Sequence, residues 1–463
     1  MQRTPKALCG ALLLIGLLSA CGGGGGGGDG ESANPTGTPT GTTAPPEAQL
    51  TVKVRVNGAQ ATPDASGAYA VKPGDTVVVT PSQASSWTST NGATNAITLR
   101  NPSVSGSQWA SQLVNTMTST ALYTVKASVG TALSATAVFS VAGADARNGS
   151  YKVFATNGTQ QTLTLNVDTK TYEMRENATA AEFGSISEDA NATGTYVFGS
   201  SRITTAANTA RFRFAQDTVV GAFPFTVTQA ATASYAVQPF VASRALETSA
   251  TALDGVYNRF GIDIAPTSAS STISQFQIAG NGTTLVRCAD STIYRIDQCP
   301  PPSLQTWTVS QGNSAETWVM TEVANPSNYS TFGVARLGSE KIFLIAGKLI
   351  GNPMASVFRI GVTESNAWRT GSGYGSSTSG AWGSVNVQAT TSTRAALAID
   401  GTTSTAQNTF GPMNALGPLG MREITNGAGV GAYYFAMQGA KLFAIVGENN
   451  PSTAGYLQIN LID

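Results

Sequence analysis

The chain has 463 residues, with 26 Lys+Arg against 26 Asp+Glu and no histidine. The missing histidine excludes Ser-His-Asp and Cys-His catalysis, His-ligated zinc and axial-His haem. Charged residues are only 11%, no basic stretch suits a nucleic acid or an anionic lipid surface, and the 41% hydrophobic content is not that of a disordered chain.

The first 20 residues read as a secretory signal peptide. Arg3 and Lys6 give a positive start, and Ala7 to Ala20 is an apolar run of 14 residues. A membrane-spanning helix needs about 20, whereas an h-region is shorter and ends in small residues before a cleavage site. The tetrad Leu18-Ser19-Ala20-Cys21 resembles the bacterial lipobox. That resemblance implies cleavage before Cys21, a diacylglycerol thioether on its sulfur and an acyl chain, such as palmitate, on its new amino terminus. Two or more chains make a stable anchor, each buried CH₂ contributing roughly 0.8 kcal/mol. Gly22 in place of Asp resembles the sorting signal of outer-membrane lipoproteins, with the periplasmic or surface face left open. The processed chain carries a net charge of −2, since Arg3 and Lys6 are lost.

Residues 21–49 form a Gly-, Thr- and Pro-rich tether, with an r.m.s. span on the order of 30 Å. The glycine run Gly22 to Gly28 precedes no helix, so it is not read as a phosphate loop.

Residues 50–143 read as one β-sandwich. Leu50, Val52, Val54 and Val56 alternate with polar residues, a period of two. Pro73-Gly74-Asp75 is a turn, with Thr76 to Thr80 a strand after it. Ile97-Thr98-Leu99, Leu122 to Val125 and Ala137 to Val141 continue the pattern. Trp87 is placed to serve as a core tryptophan. The short strands and the Lys72-Pro73-Gly74-Asp75 turn resemble a bacterial immunoglobulin-like module, which implies a spacer or adhesion unit. A short helical turn is expected near Gln108–Val114.

A threefold repeat follows, with copies expected at 145–245, 252–363 and 378–463. Their openings are Gly149-Ser150-Tyr151, Gly255-Val256-Tyr257 and Gly380-Ala381-Trp382, 106 and 125 residues apart. Lys341-Ile342-Phe343-Leu344-Ile345-Ala346-Gly347 matches Lys441-Leu442-Phe443-Ala444-Ile445-Val446-Gly447. Val219-Val220-Gly221 is an echo in the first copy. Each copy predicts an antiparallel meander in which a nearly all-apolar strand is buried on both faces, a glycine turns the chain, and an amphipathic strand returns. The spacing is too long for propeller blades of about 40–50 residues. Barrel-like or sandwich subdomains fit, and the fold class is all-β.

The four cysteines divide by position. Cys9 lies in the signal and Cys21 is the lipidation site. Cys288 and Cys299 are expected to form a disulfide in an exported protein, stabilising by roughly 2–3 kcal/mol in the chain-entropy account.

Three segments are candidate sites. Glu364 to Gly383 sets Trp368, Tyr374 and Trp382 among glycines and serines, which suits stacking on sugar rings, although a plain connection explains it more simply. Phe410 to Met421 is apolar and rich in turn formers, an interaction loop if exposed and a packed loop otherwise. Glu176, Glu182, Glu188 and Asp189, near Asp168, could offer oxygen to calcium, but match no calcium loop. No G-x-S-x-G or S-x-x-K motif is present, no catalytic, metal or cofactor residue is nominated, and the reading leans away from an enzyme. The expected role is a lipid-anchored cell-envelope protein that binds a glycan or protein or is structural. The alternatives are a carbohydrate-active enzyme using a carboxylate pair and an accessory that pairs strands with a secreted partner.

Overall fold

The computed structural model describes residues 49–176, 181–227, 234–413, 417–425 and 434–463. The signal segment 1–20, Cys21 and all of the tether except Gln49 lie outside the described residues. The protein is all-β.

Residues 50–143 fold as two sheets. One has five strands in the order Ala59–Gln60, Val52–Val56, Thr76–Pro81, Gln108–Asn115, Ile97–Ser105, and the other four, Ala68–Val71, Leu133–Val141, Ala121–Val129, Ser86–Asn91. Val54, Val79 and Leu113 from the first sheet share an apolar core with Tyr123, Val125 and Phe139 from the second. The tryptophan buried in that core is Trp109; Trp87 packs at its margin and donates Nε1–H to the Ser105 carbonyl at 2.7 Å. Gln108–Asn115 is a strand rather than a helical turn. Its alternation of Trp109, Ser111 and Leu113 with partly exposed residues is a period of two, not 3.6. The outer strand Ile97–Ser105 breaks register between Arg100 and Ser103, with Asn101 at φ 51° and Pro102 between them. Such a bulge with a proline blunts a sheet edge against further pairing.

Three closed barrels follow, each of eight strands paired in sequence order. They run from Gly149–Ala155 to Tyr235–Ser243, from Gly255–Ile264 to Asn352–Thr363, and from Gly371–Ser377 to Leu457–Ile462. In each the first and last strands pair antiparallel and close the ring. The third barrel therefore begins before the expected start at 378. Gly380 lies at a hairpin turn, at φ 81°, and Trp382 opens the second strand of that barrel, not its first.

The Gly-x-Tyr opening has a physical basis in the first two barrels. Gly149 and Gly255 adopt φ values of 142° and 157° that a side chain would resist. The tyrosine two residues on points into the lumen and donates its hydroxyl back to a carbonyl four residues upstream, Tyr151 to Arg147 at 2.7 Å and Tyr257 to Leu253 at 2.8 Å. In the third barrel Gly373 occupies that position, because the neighbouring strand comes too close: a Cβ there would overlap the Leu461 carbonyl. Without that aromatic, the first strand of the third barrel lacks the Gly-x-aromatic opening, which occurs one strand later at Gly380-Ala381-Trp382.

Eight strands leave an interior that side chains can fill. Tyr151, Tyr172, Phe198, Phe212, Phe223 and Phe240 fill the first barrel. Tyr257, Phe276, Trp307, Trp318 and Phe343 fill much of the second, and Val385, Phe410, Ile424, Phe443 and Ile445 part of the third. The strands apolar on both faces serve two cores. In Glu340–Leu349, Phe343 and Ile345 face the lumen, while Ile342, Leu344 and Ala346 join a second cluster outside it. In Leu442–Gly447, Phe443 and Ile445 face inward and Leu442, Ala444 and Val446 outward. That outer cluster also takes Phe154, Val220 and Val241 from the first barrel, so one apolar seam joins all three. Each fully buried Phe, Leu or Ile in it contributes roughly 1.5–3 kcal/mol. The glycine in these strands is not the turn. Gly221 is paired in mid-strand with Phe212 and Phe240, and Gly347 precedes the actual turn at Ile350-Gly351.

Candidate functional site

The second barrel departs from an apolar lumen at one end. Along Gly255–Ile264 the alternation places Tyr257, Arg259, Gly261 and Asp263 on the inner face. Tyr257 packs among the lumen aromatics; the next three residues toward the other end are polar or small. Neighbouring strands add Ser274 opposite Arg259, Gln305 opposite Arg287, and Arg359 opposite Gly261. Three guanidinium groups thus converge at one mouth.

Their partners differ. Arg359 is satisfied: it pairs with Asp263 at 2.7 Å and donates to the carbonyls of Ile262 at 2.7 Å and Phe358 at 3.0 Å. Arg287 donates Nε–H to Gln305 Oε1 at 2.8 Å and lies 5.0 Å from the Trp307 ring centroid. Glu322 acts on it through space, while its own Oε2 accepts from Asn328 at 2.7 Å. Arg259 is 5% exposed and donates only Nε–H, to Ser274 Oγ at 3.1 Å. Burial, then repulsion from Arg359 and Arg287, pulls its pKa well below the usual guanidinium range.

The mouth opens sideways. Ala269–Ala279 has 11 residues, yet only Phe276 to Ala279 pair with Thr284–Cys288. Residues 269–275 therefore have a strand on one side only, and a slot of about 460 Å³ enters there. Arg259, Ser270, Thr272, Ser274, Arg287 and Gln305 line it, together with Asp290, Tyr294 and Glu448. The loop from Cys288 to Cys299 forms one wall, and its two cysteines are joined as a disulfide with Cα atoms 5.6 Å apart. Ile296 N–H donates to Gln275 Oε1 at 3.1 Å and ties that loop to the unpaired strand.

The third barrel also buries an arginine without an acid. Arg394 donates to Tyr456 Oη at 3.1 Å, Ala381 O at 3.3 Å and Ser377 Oγ at 3.4 Å. Neutral oxygens thus occupy its terminal nitrogens, unlike those of Arg259.

The segments singled out from sequence fall as follows. Trp368 meets Phe410 edge-on at 5.0 Å, and Arg422 sits 4.0 Å from its ring centroid. The first two candidate segments thus converge on a cleft of about 370 Å³ lined by Trp368, Phe410, Pro412 and Arg422. Tyr374 lies apart, under Arg213 at 5.1 Å, and Trp382 is buried. Asn414, Ala415 and Leu416 lie outside the described residues. Three of the candidate acids are taken up in ion pairs. Arg202 bridges Glu176 and Glu182, Arg211 holds Asp189 at 3.0 Å, and Asp168 accepts from Asn148 at 2.6 Å. Glu176, Glu182 and Asp189 are thus neutralised by arginine, Asp168 is held by amide and backbone N–H donors, and Glu188 is exposed, so the five do not form a shared cage for calcium.

The arginine mouth was not singled out from the sequence. Its signal was present: Arg259 shares the parity of Tyr257 in a strand whose other residues are largely apolar, which places a charge on the inner face. No family model, curated protein or solved structure matches this chain.

Proposed function

We propose that the protein is a lipid-anchored cell-envelope binding protein, held at the outer membrane through Cys21, with a non-enzymatic role. The observation that carries the binding role is the slot of about 460 Å³ in the second barrel, where hydroxyl, amide and guanidinium groups converge against an otherwise apolar lumen. Ligand sites characteristically combine a concave, sheltered volume with a few convergent polar groups. The seam shared by the three barrels holds that slot on a rigid body, and the lipobox with its tether supports a membrane-attached setting.

Labelling with radioactive palmitate tests the anchor. Wild type incorporates label and Cys21→Ala does not; equal labelling of the two overturns it. Protease accessibility on intact cells then separates a surface-exposed protein, which fits glycan or protein capture outside the cell, from a periplasm-facing one.

A further inference from the structure

We infer that the slot of the second barrel binds a small ligand through a single oxyanion group, carboxylate or phosphate, held by Arg259 and Arg287. The inference rests on the binding role proposed above but not on the anchor.

Four observations combine. Arg259 is 5% exposed, and among the described residues only Ser274 accepts a hydrogen bond from it, leaving both terminal nitrogens unbonded. Arg287 likewise donates only through Nε. Of the acids near them, Asp263 is already committed to Arg359 at 2.7 Å, and Glu322, whose charge acts on Arg287, accepts from Asn328 and makes no hydrogen bond to either arginine. Both arginines line the same solvent-reaching slot. Arg259 lies over the Phe276 ring at 5.7 Å but has no acid partner; a buried cation without a counter-charge is unfavourable, and planar guanidinium groups match the two oxygens of a carboxylate or phosphate. An oxyanion between them supplies the missing acceptors and relieves their repulsion.

The rest of the slot limits the ligand. Asp290 and Glu448 also line the slot and repel a second negative group, which selects a single small anion over an extended polyanion. Tyr294 beside them offers an apolar face to the body of the ligand, and the hydroxyls of Ser270 and Thr272 can bond to its polar substituents. An organic acid or acidic sugar fits this arrangement, as does a phosphorylated one.

Thermal unfolding of the purified full-length protein tests the proposal, with sodium glucuronate, inorganic phosphate and glucose as probes at matched ionic strength. Glucuronate, phosphate or both raise the wild-type midpoint by a few degrees in a saturable manner, and glucose does not. Response to glucuronate alone assigns a carboxylate ligand, and to phosphate alone a phosphate. The shift disappears in Arg259→Gln, and shrinks in Arg287→Gln, which guards against misfolding of the first variant. It persists in Cys21→Ala, so loss of the anchor and loss of the anion site are told apart. A wild-type midpoint indifferent to both anions, or a shift retained in both arginine variants, overturns the assignment.

Discussion

Gly261 and Arg359 face each other on one rung of the second barrel, and the absence of a side chain at 261 is what lets Arg359 lie in the lumen. A Cβ at 261 would overlap the Arg359 side chain. The backbone at Gly261 is ordinary strand, so the glycine answers a need for space rather than for an unusual turn.

Gly261→Ala is therefore expected to displace Arg359 from Asp263, an ion pair of 2.7 Å between side chains 13% and 21% exposed. Overpacking and a broken, largely buried pair together cost about 3 kcal/mol. Urea denaturation should show the midpoint falling with the slope unchanged. A midpoint equal to wild type would mean that Arg359 can move aside freely.

Phe154 joins the first barrel to the second. It points out of its own barrel, is fully buried, and a Cβ on Gly333 of the second barrel would lie 2.7 Å from its Cζ. Phe154→Ala opens a cavity in the seam at a cost of about 3–5 kcal/mol. Because the loss falls between barrels, calorimetry should show the first barrel unfolding ahead of the others, as a separate transition. A single transition with an unchanged midpoint would refute the coupling.

Alkaline pH should act on the first barrel. Burial pushes the hydroxyls of Tyr151 and Tyr172 up to about 12, from an ordinary value of 10.0. The folded state holds these protons more tightly than the unfolded one. Their contribution is thus complete below pH 10 and declines as pH rises from 10 towards 12, by about 1.4 kcal/mol per pH unit for each group. Denaturant midpoints should fall over that window, and less steeply in Tyr151→Phe. Tyrosinate absorbance that appears in full before any unfolding would contradict this.

Much of the architecture is legible residue by residue. The alternation at Val52, Val54 and Val56 and the all-apolar run at Ile342 to Ala346 each mark strands, because a two-residue period or a short unbroken apolar run has few other homes. Cys288 and Cys299, the two cysteines that lie beyond the first 21 residues, are the natural pair and are joined in the structure. The Gly-x-Tyr opening marks the first two barrels because a positive-φ glycine and an inward tyrosine recur together. In the third, Gly373 replaces the aromatic, and Trp382, one strand later, imitates it.

What the amino-acid sequence determined by itself was local: where strands lie, that the protein is all-β, and which strands are apolar on both faces. Only the tertiary structure decided what those faces touch. Phe343 and Ile342 are equally apolar, and nothing in their chemistry separates a barrel lumen from a seam between barrels; ring closure by distant strands does. The same holds for Arg259. Its neighbours along the chain mark it as inward, but its isolation depends on Asp263 pairing with Arg359, almost a hundred residues away, and on a strand that outruns its partner. Long-range pairing creates both conditions, and no periodicity along the chain records it.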